Sequence, residues 1–471
     1  MRQLKVLSPL SPRTHGGVLV GSLVLAGVAV GVGQWGGGQA AAVAHAGGSN
    51  DGAGRIGPDV MVGSLPNISK YGTVGGISAY ALGTTSCNVG DEILLWCDTN
   101  VQGLCNNTQH PVIAQNMYRL KDGRFEQIGM SWLKHGFCAL SGSLCDTCNA
   151  DPFGCDALGV GCSDPYDSSL NGSQGGLGPR SQVNPVTGAF PYPFSAPAAP
   201  ATIGRRMQVP IADLVPADNS GALYFGEGHY IATDDAAAGN ANNNASYRRM
   251  LVGTLTGGSY NLSFTGGTIQ ETNAIEAWKT HGLGLNQADP DVFIAPIDVE
   301  GDGRLILGYK ASDNGDGTWH YEYAVYNMYS NRAARSFSVP VPDGVVLTNV
   351  DQHLVNHHSG EPYSTAAWTF SNERGVATWS TQTFAQNPNA NALRWGTMFN
   401  FRFDANTPPA QVAATIGLFK AGPAADPTVS TLGPSSTCAA ADLDCDGVVN
   451  GADLAILLGA WGTGGPAGDL D

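Results

Sequence analysis

Apolar and polar residues alternate with a period of two through much of residues 205–420, the spacing of half-buried strands and not of helices. Trp319, Tyr321, Tyr323 and Val325 fall on one face of a predicted strand, and Phe337, Val339 and Val341 on one face of another. Phe399, Phe401 and Phe403 point one way from a third strand, and Asn400, Arg402 and Asp404 the other. Turn signals separate these runs. Residues 117–121 and 124–128 flank Asp122-Gly123, the dipeptide that right-twisted hairpins prefer. Residues 304–309 and 319–325 flank Asn314-Gly-Asp-Gly317 in the same way. Within this stretch only residues 272–281, closed by Gly282, read as a helix.

Many short alternating strands close best as a β-sandwich or jelly roll, so the expected fold is all-β. The expected organisation has a disulfide-rich β region over 59–200, either a domain of its own or a completion of the main sandwich, and a sandwich over 201–421. A Pro-, Ala- and Ser-rich linker over 422–436 and a small module over 437–471 follow. The strand around Trp319-His-Tyr-Glu-Tyr-Ala-Val-Tyr-Asn327 and the run from Ala392 to Phe403 give the second half a loose resemblance to the immunoglobulin-like and fibronectin-like sandwiches of secreted bacterial proteins. That resemblance implies a fold and no function.

Composition adds a compartment. Residues 1–46 carry a basic start (Arg2, Lys5, Arg13), an apolar run over 18–32 and small residues up to Ala44 and Ala46, which reads as an export signal. An uncleaved anchor is the alternative, although the apolar run is short for a span. The signal holds three basic residues and no acidic one, so its removal takes the net charge from −16 to −19. With no basic run, nucleic acid is excluded as a partner class. Eight of the ten cysteines lie between Cys87 and Cys162, which in an exported chain reads as disulfides, with a zinc site at Cys145, Cys148, Cys155 and Cys162 as the alternative.

Several polar clusters are candidates for chemistry. Glu227 and His229, two apart in a strand, share a face, and Asp234 and Asp235 follow; glycines beside Glu227 and His229 would let a ligand approach. These four are the candidate catalytic residues of a hydrolase, against the plainer reading of a polar hairpin loop. Lys134 and His135, with Tyr118 and Arg119, offer the groups a polysaccharide lyase uses. His353, His357 and His358 read as surface histidines of a loop, and Asp298-Val-Glu-Gly-Asp302-Gly303 as a strand-entry turn. Trp132, Trp319, Trp368, Trp379 and Trp395 read as core more than as a sugar platform.

The last thirty residues carry the most specific pattern. Asp442, Asp444, Asp446, Asn450 and Asp453 occupy positions 1, 3, 5, 9 and 12 of a loop, Gly447 sits at the sharp turn of position 6, and Val448 offers its carbonyl at position 7. A helix follows, with Leu454, Leu457, Leu458 and Trp461 as its apolar stripe. The pattern resembles a dockerin type I repeat. By that resemblance Asp442, Asp444, Asp446, Val448, Asn450 and Asp453 bind Ca²⁺, and the partner is a cohesin-like or other surface protein. Dockerins pair two repeats; here the second begins at Asp469-Leu-Asp471, where the sequence stops, so one complete repeat remains. Two functions follow as expectations. One is a secreted β protein with a binding or structural role in an extracellular, polysaccharide-related assembly. The other is a carbohydrate-active hydrolase or lyase that carries the same calcium module.

Overall fold

In the computed structural model the described residues are 55–97, 109–151, 154–436, 441, 443 and 449–461. All belong to the unit Ser49–Asp471. Strands dominate, as the period-two pattern predicts, in three main layers.

The first layer is a ten-stranded sheet. Its main path runs Ser259–Ile269, Ala245–Thr256, Leu223–Ile231, Val112–Lys121, Arg124–Met130, Met207–Pro210, Ile77–Leu82 and Ile68–Val74. Leu133–His135 and Leu177–Gly178 extend it at one side. The sheet curls until its two ends meet: the Tyr80 hydroxyl donates to the Tyr260 carbonyl at 2.7 Å, and the Thr73 and Ser259 hydroxyls lie 2.6 Å apart. Tyr80, Leu82, Met117, Met207, Val209, Tyr224 and Met250 fill the inside. The expected hairpin at Asp122-Gly123 is present, both residues at positive φ (51° and 73°) as a two-residue turn of that twist requires. Strands from both sides of residue 200 share this sheet, so residues 59–200 complete it.

The second sheet orders Phe293–Asp298, Arg304–Asp313, Trp319–Asn327, Thr397–Ala405 and Leu347–Leu354. The third orders Thr369–Glu373, Val376–Ser380, Ala334–Pro340, Pro409–Leu418 and Thr428–Pro434. These two form the sandwich. Leu305, Leu307, Tyr321, Tyr323, Phe399, Phe401 and Phe403 face Phe337, Val339, Trp379, Ala414, Ile416 and Leu418 in one core. The 422–436 stretch is therefore not a free linker. Val429 and Leu432 pack on the core, and backbone pairing with residues 409–415 makes 428–434 an edge strand despite its composition.

The middle sheet is covered on both faces. Its second face packs against the outside of the curled sheet, where Ile306, Ala324, Tyr326 and Met398 meet Tyr118, Phe125, Phe225 and Trp278. Here Asn400 and Arg402 do not meet water: Asn400 Nδ2 donates to the Phe125 carbonyl at 2.9 Å, and Arg402 reaches Glu126 and Glu322, both at 2.8 Å.

A small sheet of Val60–Ser64, Thr84–Asn88 and Ser163–Tyr166 covers one end of the curled sheet. Disulfides Cys87–Cys145, Cys138–Cys155 and Cys148–Cys162 staple the loops beside it, and Cys97 is disulfide-bonded as well. The pairing rules out the zinc alternative. It is the chemistry of a chain that matures in an oxidising compartment, outside the cytosol. Among the described residues no helix is long and apolar enough to cross a membrane.

Candidate functional site

Glu227 and His229 share the outer face of strand Leu223–Ile231, as their spacing predicts, and both are fully buried. Glu227 accepts four hydrogen bonds: from Asn116 Nδ2 at 3.0 Å, Tyr118 Oη at 2.9 Å, Tyr326 Oη at 3.2 Å and the Ala274 amide at 2.7 Å. Burial pushes its carboxyl upward, and the four donors oppose that push. Because Tyr326 belongs to the middle sheet, Glu227 is a polar clamp between two layers. The glycines beside it admit no ligand. A Cβ on Gly226 would lie 2.9 Å from Met250 Sδ, and one on Gly228 3.2 Å from Leu65 and Thr84.

Asn116 continues the chain of contacts, its Oδ1 accepting from Arg180 Nη2 at 3.0 Å. The buried Arg180 guanidinium also donates to the carbonyls of Ser131 (2.7 Å), Gln115 (3.0 Å) and Gly396 (3.1 Å). His229 lies edge-on to Trp395, and neither ring nitrogen has a hydrogen-bond partner. Burial, then the Arg180 charge, holds it near pKa 3, so it is neutral at physiological pH.

Asp234 and Asp235 serve elsewhere. Asp234 accepts from the Leu95 amide at 2.7 Å. Asp235 accepts from the Val60 amide at 2.9 Å and Asn244 Nδ2 at 2.8 Å. They anchor the end sheet and its loop to the short helix Thr233–Ala238. The four candidate residues thus do not gather round one cleft.

Neither does the lyase-like set. Tyr118 is engaged by Glu227, while Arg119 pairs with Glu126 and Asp213. Lys134 lies buried over the Phe137 ring, its ammonium held down to about 8 by burial. His135 Nδ1 meets His110 Nε2 at 3.0 Å inside a cage of Phe190, Tyr192 and Phe194. The histidine run is also not at the surface. His357 and His358 are buried, and His353 sits in a strand with its Nε2 2.9 Å from the Gln127 carbonyl. Trp132, Trp368, Trp379 and Trp395 are core residues, as expected.

The structure does assemble a recess that the sequence does not announce. Arg180, His357, Glu361, Arg394, Trp395 and Lys420 line it, with about 30 Å³ of free interior. Glu361 accepts the amides of Arg180 (2.6 Å) and Ser181 (3.2 Å). The Arg394 guanidinium lies between the rings of Tyr363 (4.0 Å) and Phe419 (4.5 Å) and donates to the Pro388 and Ala390 carbonyls. Lys420 Nζ donates to Asn331 Oδ1 at 2.8 Å. Burial first and Arg394 second lower the Lys420 ammonium, and burial holds His357 near 3. Nothing local signals this set, because its members come from four loops. An arginine inside the apolar run Ala392-Leu-Arg-Trp395 is the one hint in the sequence.

Of the calcium-loop residues, Asn450 and Asp453 are described; Asp442, Asp444, Asp446 and Val448 lie outside the described residues. Asp453 is buried, its Oδ1 accepting from the Leu443 amide at 2.6 Å and its Oδ2 from the Asn450 amide at 2.7 Å. Asn450 caps helix Gly451–Ala460 by accepting from the Ala452 amide at 2.8 Å. The Asp453 carboxylate thus folds back over residues 443 and 450, as in a helix capping box, and the side-chain oxygens of Asn450 and Asp453 are of the type a hard cation takes. Among the described residues no cluster of three or more His, Cys, Asp and Glu is arranged to hold a metal.

No protein-family model and no curated protein matches the chain. Among solved structures it is similar to the exo-chitosanase CsxA of Amycolatopsis orientalis, at 9% identity over 78% of this chain and 26% of that chain, with a TM-score of 0.15. The chain thus spans about a quarter of that enzyme's length, and a likeness at this score fixes neither fold nor activity.

Proposed function

We propose that this is an exported binding protein whose C-terminal loop holds one calcium ion and presents the helix after it to a partner protein. The observation that carries this reading is the closure of Asp453 onto Leu443 and Asn450, beside a helix whose apolar side chains lie open. Leu454 is 54% exposed, Leu458 62% and Trp461 71%, at the i, i+4, i+7 spacing of a contact stripe. Asp442, Asp444, Asp446 and Asn450 would hold the ion with Asp453 and the Val448 carbonyl. A bound calcium would fix the loop, and with it the direction in which the helix offers its stripe. The chemistry of that stripe suits a cohesin-like or other surface protein with an apolar face.

The body supports binding over cleavage, because Glu227, Asp234 and Asp235 accept hydrogen bonds that join its layers and loops. Terbium, which takes calcium sites and is sensitised by a nearby indole, tests the reading on the whole chain. Luminescence excited through tryptophan, displaced by calcium and lost in Asp444→Ala, is the expected result. Emission that calcium does not displace, or that Asp444→Ala leaves intact, would refute it.

A further inference from the structure

We infer that the recess between Arg180, Arg394 and Lys420 is a binding site for the carboxylate of an acidic saccharide. This goes beyond the calcium reading and does not rest on it. Three cations line one recess, and none forms an ion pair with a carboxylate among the described residues. Glu361 is the one acid in the lining, and it is held by the amides of Arg180 and Ser181. The recess therefore keeps a surplus of positive charge inside a chain whose net charge is −16. A local cationic site with low-dielectric walls draws in an anion that the rest of the surface repels.

The detail of the walls narrows the ligand. Arg394 is fixed as a flat fork by Tyr363 and Phe419, and its buried Nε has no hydrogen-bond partner; nor has His357 Nε2. The unpartnered Nε–H of a planar guanidinium is a donor suited to a planar carboxylate. The interior of about 30 Å³ admits a carboxylate and not a whole sugar ring. The remainder of the ligand has a place as well. Ser181, Val183 and Asn331 are shared with an open groove of about 390 Å³ that continues along Asn184, Phe190 and Pro191. Amide side chains beside an apolar plate match the polar edges and flat face of a pyranose.

Calorimetry on the full chain tests this with three probes: the galacturonate trimer, the neutral galactose trimer and acetate. The uronate trimer should bind at least ~10-fold more tightly than either of the others, and Lys420→Met should weaken it by ~10-fold or more. Asn331→Asp, which sets a carboxylate against Lys420, should weaken it similarly with the melting temperature unchanged. Equal binding of the neutral trimer would overturn the anion site, and acetate binding as tightly as the uronate trimer would overturn the saccharide. No uronate binding at ~10 mM, or full binding by both folded variants, would overturn the proposal outright.

Discussion

Glu227 on the curled sheet and Tyr326 on the middle sheet are joined by a hydrogen bond of 3.2 Å across the layer interface, 99 residues apart in sequence. Tyr118 and Asn116 also donate to the same oxygen, Oε1, and the Ala274 amide donates to Oε2, so both carboxylate oxygens are engaged as acceptors. Glu227→Gln would turn an NH₂ group toward at least the Ala274 N–H, setting donor against donor and leaving that buried amide unpaired, at a cost of about 1–3 kcal/mol. Tyr326→Phe removes one donor of four and should cost only about 1 kcal/mol. Urea unfolding of the two variants checks the order; equal stability of Glu227→Gln and wild type would mean that Glu227 is no clamp.

Asp164 sets a pH dependence. It is fully buried, one oxygen accepts from the Leu140 amide at 2.8 Å, and the other has no hydrogen-bond partner. Burial raises its pKa from 3.8 to about 7. A carboxyl raised in the folded state binds its proton more tightly there than in the unfolded chain. Stability therefore falls as pH rises from about 4 to about 7, by on the order of a few kcal/mol. Asp164→Asn keeps the acceptor for Leu140 and carries no charge. Its unfolding free energy should be flatter over that window and exceed wild type at pH 8.

Arg402 gives the opposite sign. It joins Glu126 of the curled sheet to Glu322 of its own sheet. Burial would raise the Glu126 carboxyl, but His353, Arg402 and Arg119 outweigh it and hold it at about 2. Its contribution is present above about pH 4.5 and is lost as pH falls toward 2. Arg402→Met removes the cation the two carboxylates share, leaving Glu126 with Arg119 and Glu322 with the more distant Arg124 and His320, and should cost about 3 kcal/mol at neutral pH. The loss should shrink on acidification, which denaturant melts at pH 7 and pH 3 can read.

Local signals made much of the fold legible. The Asp122-Gly123 hairpin, the aromatic face of Trp319–Asn327 and the shared face of Glu227 and His229 all follow from residues close in sequence. The three-layer arrangement does not. Asn400 and Arg402 look solvent-facing by alternation, and only their partners Phe125, Glu126 and Glu322 make that face an interface. The role of Glu227 is hidden for the same reason, since Tyr118, Ala274 and Tyr326 come from three distant segments. Strand Thr428–Pro434 is concealed by its Pro- and Ala-rich surroundings, and Arg180, Glu361, Arg394 and Lys420 converge from loops that share no pattern.

The proposed function stands or falls with calcium binding by the C-terminal loop. Isothermal titration of calcium into the chelator-treated full chain measures it directly. The expected result is one site per chain, with a Kd in the span open to such loops, roughly 10⁻⁷–10⁻³ M, and its loss in the Asp444→Ala, Asp446→Ala double variant. No binding heat, or a site that survives the double substitution, would contradict it.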